Sequence, residues 1–206
     1  MSAEASIVLY RHPLSGHCHR VELLLNMLGL PYRIRDVDLR AGEQRQPAFL
    51  AINPFGQLPV IDDAGTVVAD SNAILVYLAM RYGAPSWLPR DALGAARVQR
   101  WLSLAAGPLA YGAARARAIR VFGRATDPAE PIATAQALFE RMDALLDGES
   151  FLTGAEPTIA DLAMYSYTAH APEGGLSLEP YPHLRAWLAR VQALPGFVAM
   201  QDSPTA

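Results

Sequence analysis

Strand signals stop near residue 68 of this 206-residue chain, and that break constrains the fold more than any other feature. Before it, Ser6 to Tyr10 is a short β-prone apolar run. Beyond the Pro13 turn, Val21, Leu24, Leu25 and Leu28 recur at helical spacing until Gly29 and Pro31. Tyr32 to Leu39 reads as a strand and Pro47 to Ala51 as one helical turn. Pro59 to Ile61 and Thr66 to Val68 read as strands closed into a hairpin by Asp62-Asp63-Ala64-Gly65, and a helix follows from about Ser71 to Arg81. The order β-α-β-α-β-β-α predicts a small mixed sheet covered by helices.

The stretch Gly83-Ala84-Pro85-Ser86, with Pro89, is rich in breakers and suits a linker. After it the pattern is helical, with helices expected over Ala92 to Val121, Pro131 to Leu146, Ile159 to His170 and Pro182 to Leu194. Thr158-Ile159-Ala160-Asp161 has the form of a capping box: the hydroxyl can accept from a first-turn amide while the carboxylate faces the positive helix end. No repeat at a fixed period and no low-complexity segment is present. The expectation is two unlike domains, an α/β domain over 1–83 and an all-α bundle over 91–206, joined by a linker at 84–90.

Composition narrows the chemistry. Every one of the 17 basic residues is arginine, so Schiff-base, pyridoxal-phosphate and P-loop lysine chemistry are excluded. The single cysteine, Cys18, excludes an intrachain disulfide framework and a multi-cysteine zinc site, which fits a reducing compartment. A net charge of -3 lacks the basicity of a nucleic-acid binder. Met1 to Ile7 lacks the basic start of a secretion signal, and no apolar run approaches membrane-spanning length, so a cytoplasmic location without membrane attachment is expected.

The residues that point to chemistry are few. Ser15-Gly16-His17-Cys18 falls at the start of the first helix, where unpaired N–H groups and the macrodipole favour an anion such as a thiolate. A serine there can donate to a bound thiolate and lower its pKa. Taken alone, Ser15 reads better as a turn or N-cap serine, Pro59 as a strand-opening proline and Asp70-Ser71 as an ordinary N-cap pair. Cys18 reads better as a small buried apolar residue than as a redox thiol. His17 and His19 lack a third ligand at a sensible spacing, so no metal is expected. Trp101, Tyr111, Arg115 and Phe122 share the long helix after the linker, with Tyr111 and Arg115 the candidates for a ligand pocket. Trp187 and Phe197 read as core.

Order and spacing make these signals specific together. His12-Pro13-Leu14-Ser15, Asn53-Pro54-Phe55-Gly56-Gln57-Leu58-Pro59-Val60 and Asp70-Ser71-Asn72-Ala73-Ile74 resemble the motifs of cytosolic glutathione transferases, and the likeness extends over nearly the whole chain. The serine placement is similar to that of theta, phi and related bacterial groups. The resemblance implies a thioredoxin-like α/β domain followed by a helical bundle, and a detoxification enzyme using glutathione as cosubstrate. It implies Ser15 as the thiolate donor and Leu58, ahead of a cis Pro59, as the backbone partner of the glutathione cysteine. Asp70 and Ser71 would hold the γ-glutamyl end, Gln57 would help fix the peptide and Phe55 would reach into the partner of a homodimer. Gln44 stands where many relatives show histidine at the glycine end, with Arg45 a substitute, and His17 is a candidate for assisting the thiol. A small apolar electrophile would sit between the domains. Two other readings stay open: glutathione-dependent disulfide reduction, and a catalytically idle module that binds hydrophobic ligands or a protein.

Overall fold

The computed structural model describes residues 6–203. Residues 1–5, which open the stretch read above as lacking a secretion signal, lie outside them. Four strands, β1 (Ile7–Arg11), β2 (Tyr32–Asp36), β3 (Val60–Asp63) and β4 (Thr66–Ala69), form one mixed sheet in the order β2-β1-β3-β4. β1 runs parallel to β2 and antiparallel to β3, and β3 pairs antiparallel with β4. β2 was expected to reach Leu39 but ends at Asp36, because its partner β1 ends at Arg11, directly opposite.

Three helices accompany the sheet: α1 (Gly16–Met27), the short α2 (Pro47–Leu50) behind a 3₁₀ turn at Glu43–Arg45, and α3 (Ser71–Tyr82). The remainder is helical: α4 (Ala92–Leu104), α5 (Arg115–Val121), α6 (Ala129–Leu145), α7 (Ile159–Ala169) and α8 (Pro182–Gln192), with a 3₁₀ turn at Ala171–Gly174. The continuous helix expected over 92–121 is instead three pieces. A π-helical stretch, Ala105–Ala114, separates α4 from α5 and contains a non-helical Gly107 (φ -100°, ψ -105°) ahead of Pro108. Proline supplies no N–H and its ring crowds the preceding turn, so regular winding cannot pass through it. No helix among the described residues is long and apolar enough to cross a membrane.

The two halves share one core. Val21 and Leu24 of α1, Leu75 and Leu78 of α3, Trp101 of α4, Met164 of α7 and Trp187 of α8 belong to a single buried cluster. The helix α7 lies at its centre, with every residue from Ile159 to Thr168 buried. Its capping box forms as expected. The Thr158 N–H donates to Asp161 Oδ2 at 2.9 Å and Thr158 Oγ1 accepts from the Ala160 N–H at 3.3 Å. Asp161 Oδ1 also accepts from the Leu152 N–H (2.9 Å) and the Trp187 indole N–H (2.8 Å), which ties α7 to α8.

Candidate functional site

The first element of the site is the N-terminus of α1. Ser15 is the N-cap, with extended φ/ψ (-93°, 114°), and its Oγ accepts from the Cys18 N–H at 3.3 Å. The hydroxyl proton is left to donate elsewhere. Gly16 presses against the ring of Tyr167 on α7: a Cβ there would meet the ring carbons at 2.9 Å, so only glycine allows this approach. One residue before the serine, the Leu14 carbonyl accepts from Arg117 Nη1 at 2.7 Å. Arg117 is 2% exposed and is held in turn by Glu173 at 3.0 Å and Ser203 Oγ at 2.7 Å, so the helical half fixes the serine turn.

The second element is the loop into β3. Asn53, itself buried, donates from Nδ2 to the Gln57 carbonyl (2.9 Å) and accepts at Oδ1 from the Phe55 N–H (3.2 Å). The Leu58–Pro59 peptide is cis, and the sheet ladder starts only at Val60, so Leu58 lies outside it. The third element is the N-terminus of α3. Asp70 takes φ 73° and ψ 127°, an unfavourable backbone for a residue with a side chain, of the kind that gathers at binding sites. Its Oδ1 accepts from the Asn72 N–H (2.9 Å) and the Ala73 N–H (3.0 Å). Ser71 is buried, and its Oγ accepts from Arg20.

These three elements line one cleft of ≈ 470 Å³. Ser15, His17, Gln44, Gln57, Leu58, Pro59, Asp70 and Ser71 all border it. Two helix N-termini therefore converge on one space, which suits a ligand with several negative groups. A larger cleft of ≈ 550 Å³ lies between α4 and α6, but it is lined mainly by apolar side chains and holds none of these residues.

The charge states are set by burial. The Cys18 thiol is 1% exposed and its pKa is pushed up to about 11, so it is neither a nucleophile nor an exchange thiol at neutral pH. Burial first, then Arg20, pushes the His17 imidazole well below its ordinary value, so it is neutral, and its ring packs edge-on against Tyr167 at 4.9 Å. His19 hydrogen-bonds the Val198 carbonyl through Nε2 and Ser166 Oγ through Nδ1, both at 2.9 Å. The carbonyl can only accept, so Nε2 carries the proton and Nδ1 accepts from the serine. It is a structural tie between α1 and α7. Among the described residues, one acidic and histidine cluster could gather a cation, His170, Glu173 and Asp202, and none of its members lines the cleft.

Other expected residues fall elsewhere. Arg45 is exposed and does not border the cleft, whereas the neighbouring Gln44 does. Neither Tyr111 nor Arg115 reaches it: Tyr111 is 66% exposed on the π-helical stretch and Arg115 is exposed at the start of α5. The winding change at Gly107 resets the faces of everything after it. Trp101 is core, its indole N–H on the Leu152 carbonyl at 2.9 Å. Trp187 is fully buried, and Phe197 is partly buried and packs edge-on against Tyr165. Phe122, 48% exposed, turns its edge toward His12 with centroids 6.2 Å apart. Phe55 is 85% exposed at the tip of its loop.

Four cleft residues were not singled out from sequence: His12, Leu39, Gly56 and Arg124. Arg124 follows Gly123, which ends α5 with φ 60°, and its N–H closes back on the Ile119 carbonyl at 2.9 Å. This is the terminal wrap that a glycine after a helical run signals. It delivers the side chain to the cleft mouth.

Models of the glutathione S-transferase N-terminal domain and of the C-terminal domain match residues 14–81 and 104–195. The chain belongs to the glutathione S-transferase family. Glutathione S-transferase theta-1 of Bos taurus is 31% identical over 95% of this chain and 86% of its own length. The crystal structure of a glutathione S-transferase from Pseudomonas fluorescens is 33% identical, with a TM-score of 0.90, over 96% of this chain and 100% of that one. A glutathione transferase homologue from Drosophila mojavensis, solved with bound glutathione, is 28% identical with a TM-score of 0.84, over 93% and 90% of the two chains. The sheet and the helical second half thus belong to a fold of the glutathione S-transferases.

Proposed function

We propose that the cleft binds glutathione, that Ser15 stabilises its thiolate, and that the thiolate attacks the electrophilic carbon of a small apolar compound. The observation that carries this reading is the convergence of Ser15, Leu58 and Asp70-Ser71 on one cleft. Glutathione is an extended peptide with a thiol in the middle and carboxylates at both ends. The Leu58 backbone, outside the ladder, pairs with its cysteine. Asp70 takes the γ-glutamyl ammonium, and Ser71 with the α3 amides takes the adjacent carboxylate. Gln57 fixes the peptide, while Gln44, whose Oε1 is buried without a hydrogen-bond partner among the described residues, faces the glycine end. The thiol proton goes to solvent, the sulfur forms a bond to carbon, and the electrophile releases its leaving group or accepts a proton. A neutral His17 assists by packing, not as a base.

Residues 1–83 supply the glutathione side, 84–90 the link and 91–206 the electrophile side, where Phe122 offers exposed apolar surface and Arg124 a charge at the mouth. The exposed Phe55 is the contact of a homodimer. No metal takes part in this reaction scheme, and the protein works in the cytoplasm. The solved relative with bound glutathione and the bovine theta-1 protein support the choice of cosubstrate.

An ultraviolet difference titration with glutathione across pH tests the reading. A thiolate band near neutral pH that weakens in Ser15→Ala supports it. Binding without conjugation of any electrophile, but with turnover of a small disulfide, transfers the assignment to disulfide reduction. No glutathione binding leaves a ligand- or protein-binding module.

A further inference from the structure

Two arginines are almost wholly buried, and they are treated differently. Arg117 has a carboxylate, a carbonyl and a hydroxyl as partners. Arg20, on α1, is 0% exposed, and among the described residues no carboxylate lies within ion-pair distance of it. Its Nε and Nη2 make no hydrogen bond with any described residue. Nη1 donates to Ser71 Oγ at 3.3 Å and to Asn72 Oδ1 at 2.9 Å, both in the first turn of α3.

An unpaired buried charge is costly and is kept only where something outside the protein completes it or where it performs a task. Burial lowers the Arg20 pKa to about 10, which leaves the group cationic at neutral pH. Of the groups whose field reaches it, Tyr167 and Cys18 have pKa values pushed up by burial and stay neutral, and Asp70 stands at the cleft. The geometry adds a direction. Ser71 Oγ accepts from the guanidinium, so its own proton must point away from Arg20, and Ser71 borders the cleft. A hydroxyl that accepts from a cation is a stronger donor to the next group in line.

We propose that Arg20 is a positioning residue for the α-carboxylate of a γ-glutamyl ligand, acting through Ser71 and Asn72, and that the bound carboxylate neutralises its buried charge. This rests on the glutathione reading above. Arg20 does not touch the ligand; it sets the hydroxyl direction and biases the α3 N-terminus toward an anion.

The test compares two ligands by calorimetry: S-methylglutathione, and the 4-aminobutyryl-cysteinyl-glycine analogue, also S-methylated, which lacks only the α-carboxylate. Wild type should prefer the first by about tenfold or more, the size of one hydrogen bond to a charged group. Arg20→Met should bring that preference toward unity while binding the truncated ligand as wild type does, and Arg20→Lys should restore much of it. Ser71→Ala should lose the preference too, and Arg20→Gln, which removes the charge but keeps a donor toward Ser71, should likewise lose it and decides the matter if Arg20→Met does not fold. Equal weakening of both ligands in Arg20→Met would mean a packing role and overturn the inference, as would an intact preference in either Arg20→Met or Ser71→Ala. Should wild type bind S-methylglutathione without preferring it, this inference fails and the glutathione reading stands. Should wild type bind neither ligand, the glutathione reading fails first.

Discussion

Replacing Ser15 by alanine separates two consequences that the geometry predicts to differ in size. The first is structural. Ser15 Oγ accepts one bond from the Cys18 N–H, at 3.3 Å, which is long for a cap. Its loss should cost at most about 1 kcal/mol, the middle of the range for an N-cap serine. That moves the melting temperature by roughly 2–4 °C in a chain of this length. The second is chemical. The hydroxyl proton is free for a thiolate, and a hydrogen bond to a charged group contributes about 1.5–3 kcal/mol. At 1.36 kcal/mol per pKa unit, the bound thiol's pKa should rise by about one to two in the variant. A donor to the ionised form lowers the thiol pKa, so removing it raises the pKa. The rate deficit should then be full at pH below both values, about 10- to 100-fold, and close as pH passes the variant's higher value. The assay is kcat/KM for conjugation of a chromogenic aromatic electrophile between pH 5.5 and about 10, beside a thermal melt. A deficit of the same size at every pH would refute the thiolate argument, because it would mean misplacement of the peptide. Equal rates in both proteins would remove Ser15 from the chemistry.

Other substitutions test the frame. Arg117→Met leaves Glu173 with only His170 as its partner and strands the Leu14 carbonyl, and it should cost about 2–3 kcal/mol in urea unfolding, in line with losing hydrogen bonds to a charged, mostly buried group; a loss below about 1 kcal/mol would show that the pair is not fixing the turn. Asp63 is 3% exposed: burial pushes its carboxyl up, but the hydroxyls of Tyr82 and Tyr77 and the charge of Arg81 more than reverse this, so its pKa lies below the ordinary value. Its folded form therefore holds a proton less readily than the unfolded chain, and its contribution is present above about pH 4 and lost as pH falls through the lower folded value. Asp63→Asn should flatten that part of the acid limb of the stability curve, and an unchanged slope would contradict the assignment. Cys18, buried and with a raised pKa, should resist a thiol-specific chromogenic reagent in the native protein and yield a single thiol after unfolding; rapid native labelling would mean that α1 opens readily.

The sheet and the two-part organisation were legible because their signals are local. Breakers at Gly29, Pro31 and Gly83 end elements wherever they stand, and Thr158 and Asp161 make a cap from four consecutive residues. What failed to read was set by partners distant in sequence. The end of β2 is decided by Arg11 on β1. The break near Gly107 had a signal in Pro108, but the alanine-rich run around it carries no apolar stripe whose phase could reveal it. Tyr111 and Arg115 lie beyond that break, where the phase of the helix can no longer be carried forward from α4. The site motifs were legible in their order along the chain, whereas Arg20 was not. An arginine on an amphipathic helix reads as a solvated residue, and only the packing of α7 across α1 and α3 buries it. Arg124 depends likewise on how α5 docks beside the serine turn.

The contact between Gly16 and Tyr167 bears on how such a chain can be recombined. The two residues lie on opposite sides of the linker, yet the ring leaves no room for a single methyl on its neighbour. A chimera that takes its first 80 or so residues from a relative with alanine after the serine would need a smaller residue at 167 in the same exchange. Bringing in a half with a side chain at position 16 while Tyr167 stays would push α7 away from α1 at the point where the serine is held. The two halves are thus matched at this contact like a key and its own lock, and a library built by shuffling at the linker should yield active members only where positions 16 and 167 travel together.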